Sequence, residues 1–62
     1  MDSREVIRRI EAHGWFEVRQ KGSHKQFKHP TKSGLVTVPS PKKDIARGTL
    51  RSIAKQAGID LE

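Results

Sequence analysis

Residues 21–30 combine two of the chain's three histidines with three lysines, a glycine and only one large apolar side chain, Phe27. A histidine with a pKa of about 6.5 can take up or release a proton at neutral pH. Lysines attract a phosphodiester backbone and stabilise the negative charge that develops on a reacting phosphate. The segment therefore predicts proton transfer beside a bound phosphate, and His24 is the candidate acid or base.

The other residues of the segment have simpler interpretations beside the functional one. Lys21, Lys25 and Lys28 bracket a histidine, which favours phosphate contact over a merely solvated charge run. Gly22 suits a tight turn, although its lack of a side chain also lets a backbone approach closely. Ser23 either caps that turn or bonds a phosphate. On residue types alone, two interpretations of His24 are equally plausible: an exposed polar residue at the start of a strand, and a catalytic group.

The other two histidines carry weaker functional signals. His29 precedes a proline and is predicted at the end of a strand on the same side as Phe27, so we expect a partly buried structural residue. His13 is predicted in the last turn of a helix, where a cation interacts favourably with the helix dipole.

The charge balance predicts an anionic partner. The 62 residues carry a formal net charge of +6 and a sequence pI of about 10.4. Nucleic acid is the first candidate, because each neutralised phosphate releases counterions; an acidic protein is the second. Such a small chain is expected to form one domain over residues 1–62.

Several classes of site and location are disfavoured by the composition. The chain has no cysteine, which excludes disulfides and thiolate metal sites. The acidic residues are scattered and the histidines lack a known ligand spacing, so we expect neither a metal nor another cofactor. No signal peptide or long apolar run is present, and we expect a cytoplasmic protein that does not contact the membrane.

Hydrophobic periodicity predicts a helix, three strands and a second helix. The predicted helices cover residues 3–13 and 46–57, and the strands cover residues 15–20, 24–29 and 35–38. Asp2 or Ser3 is expected to cap the first helix, with Glu5 at capping-box spacing from Asp2. The second helix starts either early with Asp44 as its cap or at Gly48-Thr49. Tight turns make the three strands antiparallel, so the predicted fold is α+β with both helices on one face of the sheet.

Alternation within the strands predicts which side chains remain open to solvent. If Phe27 points into the core, Lys25 and His29 share its face, whereas His24, Gln26 and Lys28 share the opposite face. In the first strand, Phe16 and Val18 alternate with Glu17 and Arg19, the period of a half-buried strand whose Phe16 and Val18 face is turned to the core.

The chain resembles the HicA family of toxins from bacterial toxin–antitoxin pairs almost from end to end. The resemblance includes Gly22-Ser23-His24 at the first hairpin. The other matching segments are SREVI at 3–7, GW at 14–15, VTVP at 36–39, GTLRSI at 48–53 and QAG at 56–58.

This resemblance implies a double-stranded-RNA-binding-domain-like α-β-β-β-α fold and mRNA endoribonuclease activity. It implies His24 as the catalytic histidine, an mRNA substrate and a HicB-type antitoxin that masks the toxin. Pro41 stands where many members carry a second histidine, so the chain dispenses with that group or uses His29. A non-catalytic RNA- or DNA-binding module and an inactive toxin that only binds its antitoxin remain alternatives.

Overall fold

The computed structural model describes residues 1–61 and has the predicted order of elements. The elements are α1 (Ser3–Ala12), β1 (Phe16–Lys21), β2 (His24–Lys28), β3 (Val36–Pro39) and α2 (Arg47–Ala57). None of the helices in the described residues is long and apolar enough to cross a bilayer.

Helix α1 begins at an aspartate cap, as predicted, but the capping box is only half formed. The carboxylate of Asp2 accepts a hydrogen bond of 2.7 Å from the backbone N–H of Arg4. The carboxylate of Glu5 does not return to Asp2; it accepts from Arg9 at 2.9 Å and from Arg8. The hydrogen bonds from Arg9 and then Arg8 lower the pKa of Glu5 below its usual value. Because Glu5 pairs with these two arginines one turn away, it does not make the second hydrogen bond of the capping box, which would run to the backbone N–H of Asp2.

Strand β2 lies in the middle of a three-stranded antiparallel sheet of order β1-β2-β3. Phe27 of β2 is fully buried, with Glu17 and Val36 as its cross-strand partners. Because partners in register project from the same side, the burial of Phe27 assigns one side of all three strands to the core.

Both helices pack on the Phe27 side of the sheet, and their apolar residues form one core together with those of the sheet. Val6 and Ile10 of α1 and Leu50 and Ile53 of α2 face this core. The full set of buried apolar residues is Val6, Ile10, Trp15, Phe27, Val36, Val38, Ile45, Leu50, Ile53, Ala57 and Leu61. The opposite side of the sheet is not covered by either helix, as predicted.

The expectation that Phe16 and Val18 form the buried face of β1 is wrong. Phe16 is 48% exposed and Val18 is 45% exposed, and every residue of β1 is classed with the exposed residues. A β-bulge explains the difference, because the register shifts between Glu17 and Arg19. Glu17 pairs with Phe27 on the helix side, whereas Phe16 pairs with Lys28 on the open side.

Helix α2 begins at Arg47, one residue after the predicted start at 46. This start lies between the two alternatives, an early start capped by Asp44 and a late start at Gly48-Thr49. Ala46 occupies the cap position and makes no side-chain hydrogen bond to the helix. The end agrees with the prediction: Gly58 has a left-handed backbone with φ of 69°, and Ile59 packs against the core.

The end of α1 is joined to the end of β2 through Gly14, Trp15 and His29. Trp15 is buried, and its indole N–H donates to the carbonyl of Ala57 at 3.2 Å. The ring of His29 meets Trp15 edge-on, with centroids 5.2 Å apart. Gly14 has φ of +97°, and a Cβ at this position would lie 2.7 Å from Nε2 of His29. Glycine is therefore required here both by the backbone and by the imidazole.

We expect Gly14→Ala to destabilise the fold more than Gly34→Ala. Gly34 has a similar φ of +91° but nothing within 4 Å of an added Cβ, so its substitution measures backbone strain alone. That strain costs about 1–3 kcal/mol, and the contact with His29 adds roughly another 1–3 kcal/mol at Gly14. Urea denaturation of both variants tests this; equal losses of unfolding free energy would contradict the assigned contact.

Candidate functional site

His24 lies at the first position of the central strand, on the uncovered side of the sheet. Its cross-strand partners are Lys21 on β1 and Pro39 on β3. The side chain is exposed, and its ring makes no hydrogen bond or ion pair with any residue in 1–61. Directly opposed residues have Cβ atoms about 4.5–5.5 Å apart, so the ammonium of Lys21 can reach the space above the imidazole.

The turn before His24 is short and connected to the segment after β3. Gly22 and Ser23 are the two loop residues between the paired Lys21 and His24. Gly22 has φ of 58°, as the first loop residue of a type II′ hairpin requires. The carbonyl of Ser23 accepts a hydrogen bond of 2.6 Å from the backbone N–H of Ser40. These contacts hold His24 at a defined place on the sheet rather than on a long loop.

Lys28 projects from the same side of β2 as His24, four residues further along the strand. At about 3.4 Å per residue the two positions are about 14 Å apart. Gln26 lies between them, and its side-chain oxygen accepts two hydrogen bonds from the Arg19 guanidinium, at 2.9 and 2.6 Å. Neither Lys21 nor Lys28 forms an ion pair with a described carboxylate.

Arg19 is a member of this surface that the sequence prediction missed. Regular alternation does place Arg19 and Lys21 together, but it gives no reason to place Phe16 with them. The bulge brings all three residues to one side, in register with Lys28, Gln26 and His24. The only signal is a difference in spacing. Lys21 follows Phe16 by five residues on β1, whereas their partners His24 and Lys28 are four residues apart on β2, which contains no bulge. We call the surface formed by Phe16, Arg19, Lys21, His24, Gln26 and Lys28 the open face.

Lys25 does not join the open face, although the sequence places it in the same basic segment. It pairs with Gln20 and Val38 on the helix side of the sheet. Its ammonium lies 3.6 Å from a carboxylate oxygen of Glu17. The structure thus brings Lys21 and Lys28 to the side of His24 and leaves Lys25 on the other side, beside an acidic partner.

His29 has a structural environment, as expected, and both of its ring nitrogens already have protein partners. Its Nδ1 accepts hydrogen bonds of 3.1 Å from the backbone N–H groups of both Thr31 and Lys32. Because Nδ1 accepts, the ring proton is on Nε2, which donates to the carbonyl of His13 at 2.8 Å. The ring therefore connects β2 to the end of α1, on the side of the sheet away from His24.

His13 also has a local partner. Its Nδ1 lies 3.0 Å from the carbonyl of Arg9, at the end of α1. Within residues 1–61, no three histidine, cysteine, aspartate or glutamate side chains are grouped so that they could hold a metal ion.

These environments predict different chemical reactivity for the histidines. We expect diethyl pyrocarbonate to modify His24 rapidly in the native protein and His29 slowly, because only His24 has an exposed ring with both nitrogens free of protein partners. Peptide mass spectrometry over a time course measures both rates, and denaturing conditions should make them equal. Equal rates in the native state would contradict the hydrogen bonds assigned to His29.

Comparison with known proteins identifies the family. No curated protein matches the chain significantly. Among solved structures, the chain is similar to one from the "HicA3 and HicB3 toxin-antitoxin complex", with 39% sequence identity, a TM-score of 0.86 and full coverage of both chains. The family model described as the HicA toxin of bacterial toxin–antitoxin systems matches residues 3–59. This match spans nearly the whole chain, and the chain therefore belongs to the HicA toxin family.

Proposed function

We propose that this protein is the toxin of a toxin–antitoxin pair and acts as a metal-independent mRNA endoribonuclease. The observation that carries the proposal is the cross-strand pairing of the exposed His24 with Lys21 on the open face. An imidazole free to exchange protons and an ammonium able to hold a phosphate occupy adjacent positions there. Membership of the HicA toxin family supports the same activity.

The proposed reaction is a transesterification within the RNA backbone. The 2′-oxygen of one ribose attacks the adjacent phosphorus and loses its proton, and the bond from phosphorus to the 5′-oxygen of the next nucleotide breaks. The products are a 2′,3′-cyclic phosphate and a 5′-hydroxyl, which receives a proton. His24 transfers one of these two protons, and solvent water accounts for the other. Lys21 stabilises the added charge on the pentavalent phosphorane.

The open face supplies the rest of the binding site. Lys28 and Arg19 extend the positive charge along the sheet away from His24, over the separation of about 14 Å given by the strand geometry. Gly22 and Ser23 border His24 at the hairpin, where the absence of a glycine side chain lets a phosphate approach the backbone. Lys25 contributes to the net charge but not to this contact.

Substitution of His24 should remove cleavage and preserve the fold. We expect His24→Gln to lower the cleavage rate by about a hundred- to ten-thousand-fold, the usual contribution of a general acid or base. His13→Gln is the matched control, because His13 is also exposed but lies at the end of α1. The measurement is single-turnover cleavage of a labelled mRNA fragment, with far-UV circular dichroism to check folding.

Three further results would support the mechanism together: a 2′,3′-cyclic phosphate at the product end, no cleavage when the 2′-hydroxyl at the cut site is replaced by hydrogen, and an unchanged rate in EDTA. Cleavage by His24→Gln at the wild-type rate would overturn the assignment of His24.

Neutralising lysines on the two sides of the sheet should have different effects on RNA binding. We expect Lys21→Gln and Lys28→Gln each to weaken binding of single-stranded RNA and to reduce the slope of log K against log[salt] by about 0.7. Lys25→Gln is the matched control, since it removes the same charge from the helix side. Fluorescence anisotropy at several salt concentrations, in a His24→Gln background that prevents cleavage, measures both quantities. Equal slopes for the three variants would show that the charge acts through the whole molecule rather than through the open face.

We further propose that a HicB-type antitoxin inhibits the toxin by covering the open face. The similar solved structure is a complex of HicA3 with HicB3. A partner on the open face would block His24 and neutralise Lys21 and Lys28 at once. A small acidic protein encoded beside this chain, able to suppress both growth arrest and RNA cleavage, is the expected partner.

A non-catalytic RNA-binding module is the second candidate, and one observation favours it. His24 is the only histidine on the open face among the described residues, and Pro41 occupies the position of the family's second histidine. In that case the chain would bind RNA with the same lysine dependence but release no product. Growth arrest that persists in His24→Gln would support this candidate over the enzyme.

A further inference from the structure

The open face also carries apolar side chains that the proposed phosphate chemistry does not use. The large exposed hydrophobic residues of the described chain are Phe16, Val18 and Leu35. Phe16 pairs with Lys28 on the open face. Leu35 immediately precedes β3 and lies beside Arg19, Gln26 and Lys28 of the open face.

A shallow groove connects these residues to the basic part of the face. It has a volume of about 440 Å³ and is lined by Val18, Arg19, Gln26, Lys28 and Leu35. Phe16 is the cross-strand partner of Lys28, one of the lining residues. The apolar residues are therefore interspersed with cations, at the opposite end of the open face from His24.

The composition of this region matches a single-stranded nucleic acid better than a protein. No described carboxylate lies on the open face, because Glu17 is directed to the helix side and pairs with Lys25. Aromatic side chains among lysines and arginines bind single strands by stacking on bases while the cations hold the phosphates. A phenylalanine on an uncovered sheet is well placed for such stacking, because its ring has no polar group that needs a hydrogen-bond partner.

We propose that Phe16 stacks on a base of the RNA strand, a few nucleotides from the phosphate held at His24. This inference rests on the proposed function, because it assigns a base-binding position to the same RNA. The strand crosses the sheet from the Lys21–His24 pair to the Phe16–Lys28 pair, which are about 14 Å apart along β2. Lys28 and Arg19 hold the phosphates between the two ends, and Phe16 contributes affinity that does not depend on charge.

The test separates the contribution of bases from that of phosphates. Fluorescein-labelled oligoadenylate and an abasic oligomer of the same length carry the same charge, so the dissociation constant of the abasic oligomer divided by that of oligoadenylate reports base contacts alone. We expect Phe16→Leu, in the His24→Gln background, to reduce this ratio by about five- to a hundred-fold. Its binding of the abasic oligomer and its salt dependence should remain unchanged.

Two control variants guard against a structural explanation. Phe16→Tyr keeps the aromatic ring and should keep the ratio, whereas Ile7→Ala trims a partly buried apolar side chain of α1, away from the open face, and should leave the ratio unchanged. Because Phe16 is 48% exposed, Phe16→Leu is expected to fold, and a native circular dichroism spectrum checks this. If Phe16→Leu does not fold, Phe16→Tyr and Phe16→Ile provide the same comparison of ring against no ring.

The outcomes distinguish this inference from the proposed function. An unchanged ratio in a protein that still cleaves mRNA through His24 would overturn the stacking role alone. An unchanged ratio together with weaker binding of the antitoxin would identify the apolar region as a protein contact, and would also overturn it. A protein that binds neither oligomer and cleaves no RNA would overturn the proposed function first.

Discussion

The burial of Phe27 in the central strand is the constraint on which the open face depends. Phe27 is inaccessible to solvent and faces the core between the sheet and the two helices. Its replacement by alanine would lower the free energy of unfolding by about 3–5 kcal/mol. A shift of one residue in the register of β2 would expose Phe27 and turn His24 and Lys28 towards the helices. Stability of the core and exposure of the candidate catalytic histidine are therefore consequences of the same alternation.

The distribution of charge partners adds a second level of organisation. Along α1, Glu5 pairs with Arg8 and Arg9, and on the helix side of the sheet Glu17 lies beside Lys25. The described cations of the open face have no such acidic neighbours. Three cations, Arg19, Lys21 and Lys28, are thereby left on the open face to attract a phosphate backbone, and Lys21 lies within a Debye length of about 8–10 Å of His24.

Most of the fold could be predicted from the sequence because its strongest signals are local. Apolar spacing in α1 and α2, glycines at the helix ends and the alternation around Phe27 each depend on a few neighbouring residues. The bulge in β1 could not be predicted in this way, since an extra residue between Glu17 and Arg19 becomes visible only when β1 is paired with β2. The start of α2 was predicted to within one residue, but its cap was not identified, because Ala46 supplies no side-chain cap and no local signal marks it.

The candidate site shows the same division between local and non-local information. His24, Lys21 and Lys28 could be grouped from their spacing, because the hairpin that joins them is short. Arg19 and Phe16 reach the same surface only through the register of β1, and Lys25 is excluded from it by the pleat of β2. His29 was recognised as structural from its place beside Pro30, but its two backbone donors come from a turn whose geometry the sequence does not specify.

An uncovered sheet creates a specific physical problem, and its solution connects binding with inhibition. Phe16 and Val18 stay about half exposed, which sacrifices about half of the roughly 1.5–3 kcal/mol that full burial of such a side chain contributes. In a chain of 62 residues that loss is substantial, and a third element over the sheet would recover it. Such an element would also bury His24 and the cations beside it, so a self-contained, fully covered fold could not bind RNA there. On the proposed function, a separate protein that covers the open face would stabilise the chain and block His24 through the same contacts, and its removal would restore the exposed surface without refolding the core.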